Sequence, residues 1–306
     1  MTRVLVTGAS GFIGRNLCAR LIHEGAEVHG VSRHVQEGTS MRWWQADLTD
    51  PDEAADLLQR IRPDVVHHLA GLNVGSRDLD AVLPVLRHNL VATVNVLVAA
   101  VRANCGLVLL AGSLEEPEPD EPYPVPTSSY AAAKHGAGAY ARLLAALYGL
   151  RVVDLRIFMV YGPGQRPPKV VPAVVIPLLR RESPELSSGL RPFDWVYVDD
   201  VVDAFVAAAE RPDLAGETID IGSGELVTVR AVVEQIIETM GIDIQPAFGA
   251  LPDRPLDERI RKADVERTGD LLGWRARTRL SEGLEATIGW CRGEFEASVL
   301  RETTDT

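Results

Sequence analysis

Tyr130-Ala131-Ala132-Ala133-Lys134 sets a phenol and an ammonium four residues apart. On a helix this spacing brings both side chains to one face, a turn from each other. A phenol ordinarily keeps its proton to about pH 10. A neighbouring ammonium favours the phenolate, so Tyr130 could exchange a proton near neutrality. Ser113 closes an apolar run upstream, where its hydroxyl can hydrogen-bond a reacting carbonyl oxygen. The bland alternative is a Tyr packed on its helix, a solvated Lys and a turn Ser.

A second group of residues could hold a phosphate. Val4-Leu5-Val6-Thr7 runs into Gly8-Ala9-Ser10-Gly11-Phe12-Ile13-Gly14 and then into an amphipathic pattern. Gly8 allows the sharp strand-to-helix turn, Gly11 the close approach of a pyrophosphate, and Gly14 tight packing of helix on strand. The spacing is G-x-x-G-x-x-G and departs from the plain G-x-G-x-x-G fingerprint. An acidic residue about twenty positions on would accept hydrogen bonds from a ribose 2′-hydroxyl and select NAD. Here Ser32-Arg33-His34 stands at the end of the second strand pattern. A guanidinium suits a 2′-phosphate, so Arg33 predicts NADP; otherwise it is a solvated loop charge.

These groups need a scaffold, and the patterning supplies one. Strand patterns lie at residues 3–7, 27–32, 41–45, 65–69, 106–111 and 151–157, with helical patterns at 11–24, 51–60, 82–104 and 129–149 between them. Alternating units with near-continuous apolar strands predict an α/β, doubly wound parallel sheet of the Rossmann kind. Parallel sheets of this kind bind ligands at the carboxyl ends of their strands, where Ser113 falls. Beyond Tyr161 the texture changes. Helical patterns at 170–181 (kinked at Pro177), 199–211 and 229–240 and strand patterns at 195–198 and 218–221 predict a smaller C-terminal α/β substrate lobe. The expected division is 1–160 with 195–225 returning to it, then 161–194 and 226–297 for the lobe, and a polar, unstructured tail over 298–306.

Composition narrows the function classes. The 306 residues are 46% hydrophobic and 24% charged, typical of a globular protein. A net charge of −12 with no basic run argues against nucleic-acid binding. Pro, Arg or Asp interrupts each apolar stretch, so no membrane span is expected. The N-terminus opens on a strand pattern without a signal core, which predicts a cytoplasmic protein. Cys18, Cys105 and Cys291 are widely spaced and read as free buried thiols. His67-His68 lies in a strand pattern without ligands at metal spacing, so no metal is expected.

Taken together, these motifs resemble the extended short-chain dehydrogenase/reductase family, the NAD(P)-dependent nucleotide-sugar epimerases, dehydratases and ketoreductases. The resemblance spans nearly the whole chain. It rests also on Ala46-Asp47-Leu48, His68-Leu69-Ala70-Gly71, the stretch from Asn89 to Leu97, Leu155-Arg156-Ile157-Phe158, Val160-Tyr161-Gly162-Pro163-Gly164-Gln165 and Val196-Tyr197-Val198-Asp199-Asp200-Val201. Further matches are Ile221-Gly222-Ser223-Gly224, Leu272-Gly273-Trp274 and Glu282-Gly283-Leu284. It implies Phe12 and Ile13 at the pyrophosphate, and Asp47 and Leu48 at the adenine. Leu69, Ala70 and Gly71 would line the cofactor cleft with Asn89 near it, Phe158 would sit on the nicotinamide side, and Lys134 would hold the ribose. Asp47 also suits a cap region before the following helix.

Departures from the family pattern bear on the reaction. Dehydratases of the family carry a Thr-Asp-Glu acid–base run where this chain has Ser113-Leu114-Glu115. Leu114 cannot donate a proton; Glu115 either joins the chemistry or is a solvated loop charge. Met159 and Phe193 stand where relatives place an Asn and an Arg that help hold the nucleotide diphosphate, leaving Arg191 and Arg254 as substitute phosphate ligands. Substrate contacts are thus expected from Ser113, Glu115, Arg191 and Arg254. The resemblance implies an NADPH-dependent 4-ketoreductase of a nucleotide-linked, TDP-type 4-keto-6-deoxyhexose. In it Tyr130 is general acid, Lys134 tunes it and Ser113 polarises the ketone. An Arg-rich, Lys-poor composition fits a high-GC bacterium, and so deoxysugar or antibiotic biosynthesis. The alternatives are a 4-epimerase with retained NAD and, from another class, a non-catalytic NADP-binding sensor or scaffold. The apolar faces of residues 89–101 and 137–147 resemble helices that pair across family homodimers.

Overall fold

The computed structural model describes residues 2–34, 36, 41–73, 77–117, 125–253 and 260–304. In chain order the strands begin with β1 (Arg3–Thr7), β2 (Glu27–Ser32), β3 (Arg42–Gln45), β4 (Val65–His68), β5 (Leu107–Ser113) and β6 (Val152–Ile157). They continue with β7 (Met159–Tyr161), β8 (Glu185–Leu186), β9 (Pro192–Tyr197), β10 (Thr218–Ile221), β11 (Leu226–Thr228) and β12 (Ala247–Phe248). The helices are α1 (Phe12–His23), α2 (Pro51–Ile61), α3 (Leu79–Val85), α4 (Ala92–Arg102) and α5 (Ser129–Tyr148), then α6 (Val170–Leu179), α7 (Val198–Ala209), α8 (Val229–Met240), α9 (Val265–Leu272) and α10 (Leu280–Thr304).

Two compact units divide the chain. The first comprises Met1–Ile157, Val202–Ile221 and Glu266–Trp274; the second comprises Phe158–Val201, Gly222–Val265 and Arg275–Thr306. In the first, seven strands form a parallel sheet in the order β10-β6-β5-β4-β1-β2-β3. The chain winds outward from β1 to β3 and then crosses to β4, so the direction reverses between β1 and β4. That reversal opens a crevice at the carboxyl ends of these two strands. β5 carries the buried run Leu107-Val108-Leu109-Leu110 because helices cover both faces. Leu5, Leu58, Val66, Val96, Leu97 and Val108 are fully buried in one layer of this core.

Local chemistry sets the helix ends. Asp50 caps α2 by accepting from the backbone N–H groups of Asp52 and Glu53, with Pro51 as the first helical residue. Ser128 caps α5, and Gly149 ends it in the left-handed conformation at φ +67°. Between α3 and α4 the helix loosens into a π-turn, Leu86–Val91.

Leu79–Arg102 is, among the described residues, long and apolar enough to cross a membrane by length and composition alone. This corrects the expectation that no stretch reaches that length. Interruption by Pro84 does not stop the helix, and Ala92, Thr93, Val96, Leu97 and Ala100 are buried in the first unit.

The second unit holds the sheet β11-β9-β7 and the pair β12-β8, with α6, α8 and α10 packed on one another. Buried Asp194 ties its segments together, accepting from the backbone N–H groups of Ser223, Gly224 and Ala263. The tail expected to lack structure is helical as far as Thr304. Residues 294–304 contain neither Gly nor Pro to stop the helix.

Candidate active site

The glycine loop sits at the topological reversal. Gly8 has φ +66°, and a Cβ there would lie 2.8 Å from the Ala70 nitrogen and 2.9 Å from the Leu69 carbonyl. A Cβ at Gly14 would collide with the Gly8 carbonyl. Gly11 is the N-cap of α1 and no side chain caps the helix. The first-turn N–H groups of α1, including those of Phe12 and Ile13, are thus left to an anion in a cradle any Cβ would fill. These residues fit a dinucleotide pyrophosphate. Arg15 was not anticipated: its guanidinium donates to the carbonyls of Ser10 and Gly11 and braces the loop. Its position, four residues after Gly11, was the available signal.

A buried chain of hydrogen bonds runs behind the loop. Thr7 Oγ1 accepts from the Ala70 N–H and meets His68 Nδ1 at 2.8 Å. His68 Nε2 meets Thr93 Oγ1 at 2.9 Å, and Thr93 donates to the Asn89 carbonyl. The donors sort in one order only: Thr7 O–H to Nδ1, then Nε2–H to Thr93. Burial, and then the charge of Lys134, push His68 down to about 3, so it is neutral. Fully buried Asn89, on the π-turn, clasps Leu72, accepting from its N–H and donating to its carbonyl. A Cβ on Gly71 would lie 3.1 Å from Asn89 Oδ1 and 3.9 Å from Lys134 Nζ. Leu69, Ala70, Gly71, Asn89 and Lys134 therefore meet at the end of β4.

Around β2 and β3 the carboxylate of Asp47 accepts from the Thr49 N–H and hydroxyl, forming a turn before α2. The Thr49 backbone N–H first, and more weakly its hydroxyl, His88 and Arg33, hold Asp47 below the usual carboxylate range. Asn95 donates to the carbonyl of buried Leu48. Ser32 accepts from the His34 N–H. The exposed Arg33 guanidinium lies 3.5 Å from His88 Nε2.

The residues expected to carry chemistry converge between β5 and α5. Ser113 ends β5; its N–H donates to Glu116 Oε1 at 2.6 Å, and its Oγ accepts from the Glu115 N–H. Half-buried Tyr130 hydrogen-bonds the Ser113 side chain. Lys134 Nζ donates to the Ala111 carbonyl at 2.6 Å and sits 5.8 Å from the Tyr130 ring centroid. Ser128, the α5 cap, also donates to Glu115 Oε2, linking helix start and strand end.

The electrostatics differ from the sequence expectation. Tyr130 is pushed up from its ordinary value, by burial first and then by Glu115 and Glu116, against the Ser113 hydrogen bond. The value of Lys134 is itself lowered by burial, against Glu116 and Asp154. Asp154, on β6 beside α5, is pushed up to about 7 by burial and then by Glu116, against Lys134, Arg156 and Arg142.

The second unit holds the remaining expected residues. Phe158 is buried there. Met159 opens β7, and Arg191 lies with its guanidinium 4.5 Å from the Phe193 ring centroid. Arg254 falls outside the described residues. Among the described residues no group of three His, Cys, Asp or Glu could hold a metal ion.

Comparison with known proteins bears directly on this arrangement. The profile of the NAD dependent epimerase/dehydratase family matches residues 4–222. The chain is 32% identical to a UDP-glucose 4-epimerase of Mycolicibacterium smegmatis over 96% of its own length and all of the relative. It is 30% identical to a dTDP-glucose 4,6-dehydratase of Streptomyces antibioticus, covering 94% and 92% of the two chains. Among solved structures it is similar to MoeE5 in complex with UDP-glucose and NAD, at 34% identity and a TM-score of 0.86, over 95% of this chain and 99% of that one. These findings overturn the NADP expectation: the matching family is NAD dependent, and MoeE5 carries NAD. The physical reason is local. Arg33 is exposed, with its guanidinium 3.5 Å from His88 Nε2, and the Asp47 carboxylate feels its charge; a carboxylate in that region opposes a 2′-phosphate by like-charge repulsion.

Proposed function

Because the chain belongs to the NAD-dependent epimerase/dehydratase family, we propose that it is a nucleotide-sugar 4-epimerase acting on a UDP-hexose. NAD, when bound, supplies a reversible hydride acceptor. Tyr130 takes the proton of the C4 hydroxyl and later returns one to the same oxygen. Ser113 hydrogen-bonds that oxygen in both forms. Lys134 holds the ribose side of the cofactor and contributes positive charge beneath the site. Inversion requires the sugar to present its other face to the same residues.

The observation that carries this reading is the Ser113-Leu114-Glu115 run. Leu114 cannot act as an acid, and Glu115 accepts from Ser128 as part of the α5 cap. Water loss from a neighbouring carbon lacks its acid–base pair, which disfavours the dehydratase reaction. The ketoreductase reading drew on NADP and gives way with it. The mycobacterial relative and MoeE5 support a uridine nucleotide over the thymidine nucleotide first expected.

The exposed apolar residues Leu79, Leu83 and Leu86 and, on α5, Leu143 and Leu147 support a homodimer. Cys18, Cys105 and Cys291 are free and buried, which supports work in a reducing cytoplasm.

The test is incubation of the NAD-loaded protein with UDP-glucose, UDP-glucuronic acid and TDP-glucose, with the C4 configuration followed by NMR. The expected outcome is a mixture of C4 epimers from a uridine substrate without added cofactor. Absence of C4 inversion with all three overturns the assignment and leaves the non-catalytic sensor or scaffold reading, whereas full turnover by Tyr130→Phe would remove Tyr130 from the acid–base role.

A further inference from the structure

Two carboxyl groups outside the reacting cluster converge beneath it. Glu116 is 7% exposed and Asp154 approaches it from β6. A Cβ at Gly112 would collide with Asp154 Oδ1 and lie 3.0 Å from Glu116 Oε1. One at Gly138, across on α5, would lie 3.5 Å from Asp154 Oδ2 and 4.0 Å from Glu116 Oε2. The carboxyls thus fill the gap that two glycines leave between β5 and α5. Asp154 Oδ1 is buried and without a hydrogen-bond partner among the described residues. Burial and the neighbouring Glu116 charge make the Asp154 carboxyl hold its proton more tightly than an ordinary carboxyl.

The charges facing the pair come from every side. Lys134 and Arg142 project from α5 and Arg156 from β6, and Glu217 lines the same cleft as Asp154 before β10. Arg156 is engaged by Asp220 at 3.2 Å, and Lys134 by the Ala111 carbonyl. Glu116 reaches the chemistry through two routes: it accepts from the Ser113 N–H, and its charge acts on Tyr130 and Lys134.

We propose that Glu116 and Asp154 are a one-proton carboxyl pair that positions the site electrostatically, its second ionisation setting the pH at which Tyr130 takes the substrate proton. With one proton the pair carries a single negative charge. When that proton leaves, a second charge opposes the Tyr130 phenolate and holds Lys134 charged. Glu116 and Asp154 are positioning residues, since neither is placed on the substrate. The inference rests on the epimerase reading for its kinetic arm only.

The experiment uses the full-length wild-type protein, Glu116→Gln, Asp154→Asn and Tyr130→Phe. Infrared spectroscopy against pH reads the carboxylic-acid C=O band without cofactor or turnover. The wild type is expected to show a protonated carboxyl around neutral pH, Asp154→Asn to lose it, and Glu116→Gln to titrate it at lower pH although Asp154 is still present. In kinetics the ascending limb of kcat/KM is expected about one pH unit lower in both single variants, since each removes the second charge near Tyr130. A residue that merely filled space would leave that limb unmoved. If wild type lacks the band, or both variants keep the wild-type limb, the pair is overturned. If no nucleotide sugar is turned over, the function reading falls alone. Tyr130 ionisation, read as the ultraviolet difference between each protein and the same protein carrying Tyr130→Phe, then gives the same expected shift.

Discussion

Lys134 is anchored to Ala111: its Nζ donates to that carbonyl at 2.6 Å, at the end of β5, while the Tyr130 ring centroid lies 5.8 Å away. The ammonium is therefore a fixed part of the floor of the site. Burial and the carboxylates of Glu115 and Glu116 favour the protonated form of Tyr130.

Removing either partner should have separable effects. Tyr130→Phe deletes one hydroxyl and is expected to lower kcat by about 10²–10⁴-fold with little change in melting temperature. Lys134→Met also strands the Ala111 carbonyl and removes a cation that acts on Asp154. It should lower kcat comparably and cost about 1–3 kcal/mol of stability. Turnover and thermal melts of the two variants check this; equal stability would mean that the Ala111 hydrogen bond contributes nothing.

Gly8 and Gly25 both have positive φ, +66° and +83°, but only Gly8 has backbone within reach of a Cβ. Gly25→Ala should cost about 1 kcal/mol and leave NAD affinity intact. Gly8→Ala should cost more, because the Ala70 nitrogen must move, and should weaken NAD binding at least tenfold. Calorimetric titration with NAD separates the cases. Equal affinity in both variants would remove the glycine loop from the cofactor site.

Arg33 gives a direct check on the cofactor correction. Its guanidinium is exposed, and the Asp47 carboxylate feels its charge. Arg33→Ala is expected to change NAD affinity less than about fivefold, since exposed charge contacts contribute up to about 1 kcal/mol. Stronger binding of NADP than of NAD by the unaltered chain would restore the earlier expectation.

The scaffold was legible because its signals are local. The βα alternation, the Asp50-Pro51 cap and the Ser128 and Gly149 ends of α5 are each written within a few residues. Ser113, Tyr130 and Lys134 were legible through spacing and strand order. What escaped depends on residues far apart in sequence. The Thr7–His68–Thr93 chain joins β1, β4 and α4, and no spacing rule links them. The apposition of Glu116 and Asp154 needs two glycines on separate elements. Arg33 was misread because the carboxylate that feels its charge, Asp47, lies on another element after β3; from sequence alone it was a cation without a counterpart. Glu115 looked like a solvated loop charge until its bond to Ser128 made it part of a helix cap.

His67 supplies the last prediction. It is fully buried on β4, neither ring nitrogen has a hydrogen-bond partner among the described residues, and the Phe205 ring lies 5.8 Å away. Burial pushes it down to about 3 from an ordinary 6.5. A base with a depressed folded-state value is neutral in the native protein, whereas the unfolded chain protonates below about pH 6.5. The stability it permits is therefore present above about pH 6.5 and is lost as pH falls toward 3, by roughly 1.4 kcal/mol per pH unit. His68 follows the same course. His67→Leu removes one of these two acid-sensitive groups and replaces an unpaired buried imidazole with an apolar side chain. The variant is expected to melt at or above the wild-type temperature at pH 7.5 and to lose less than the wild type on going to pH 5. Thermal melts at the two pH values measure this, and an unchanged acid loss would mean that His67 does not titrate on unfolding.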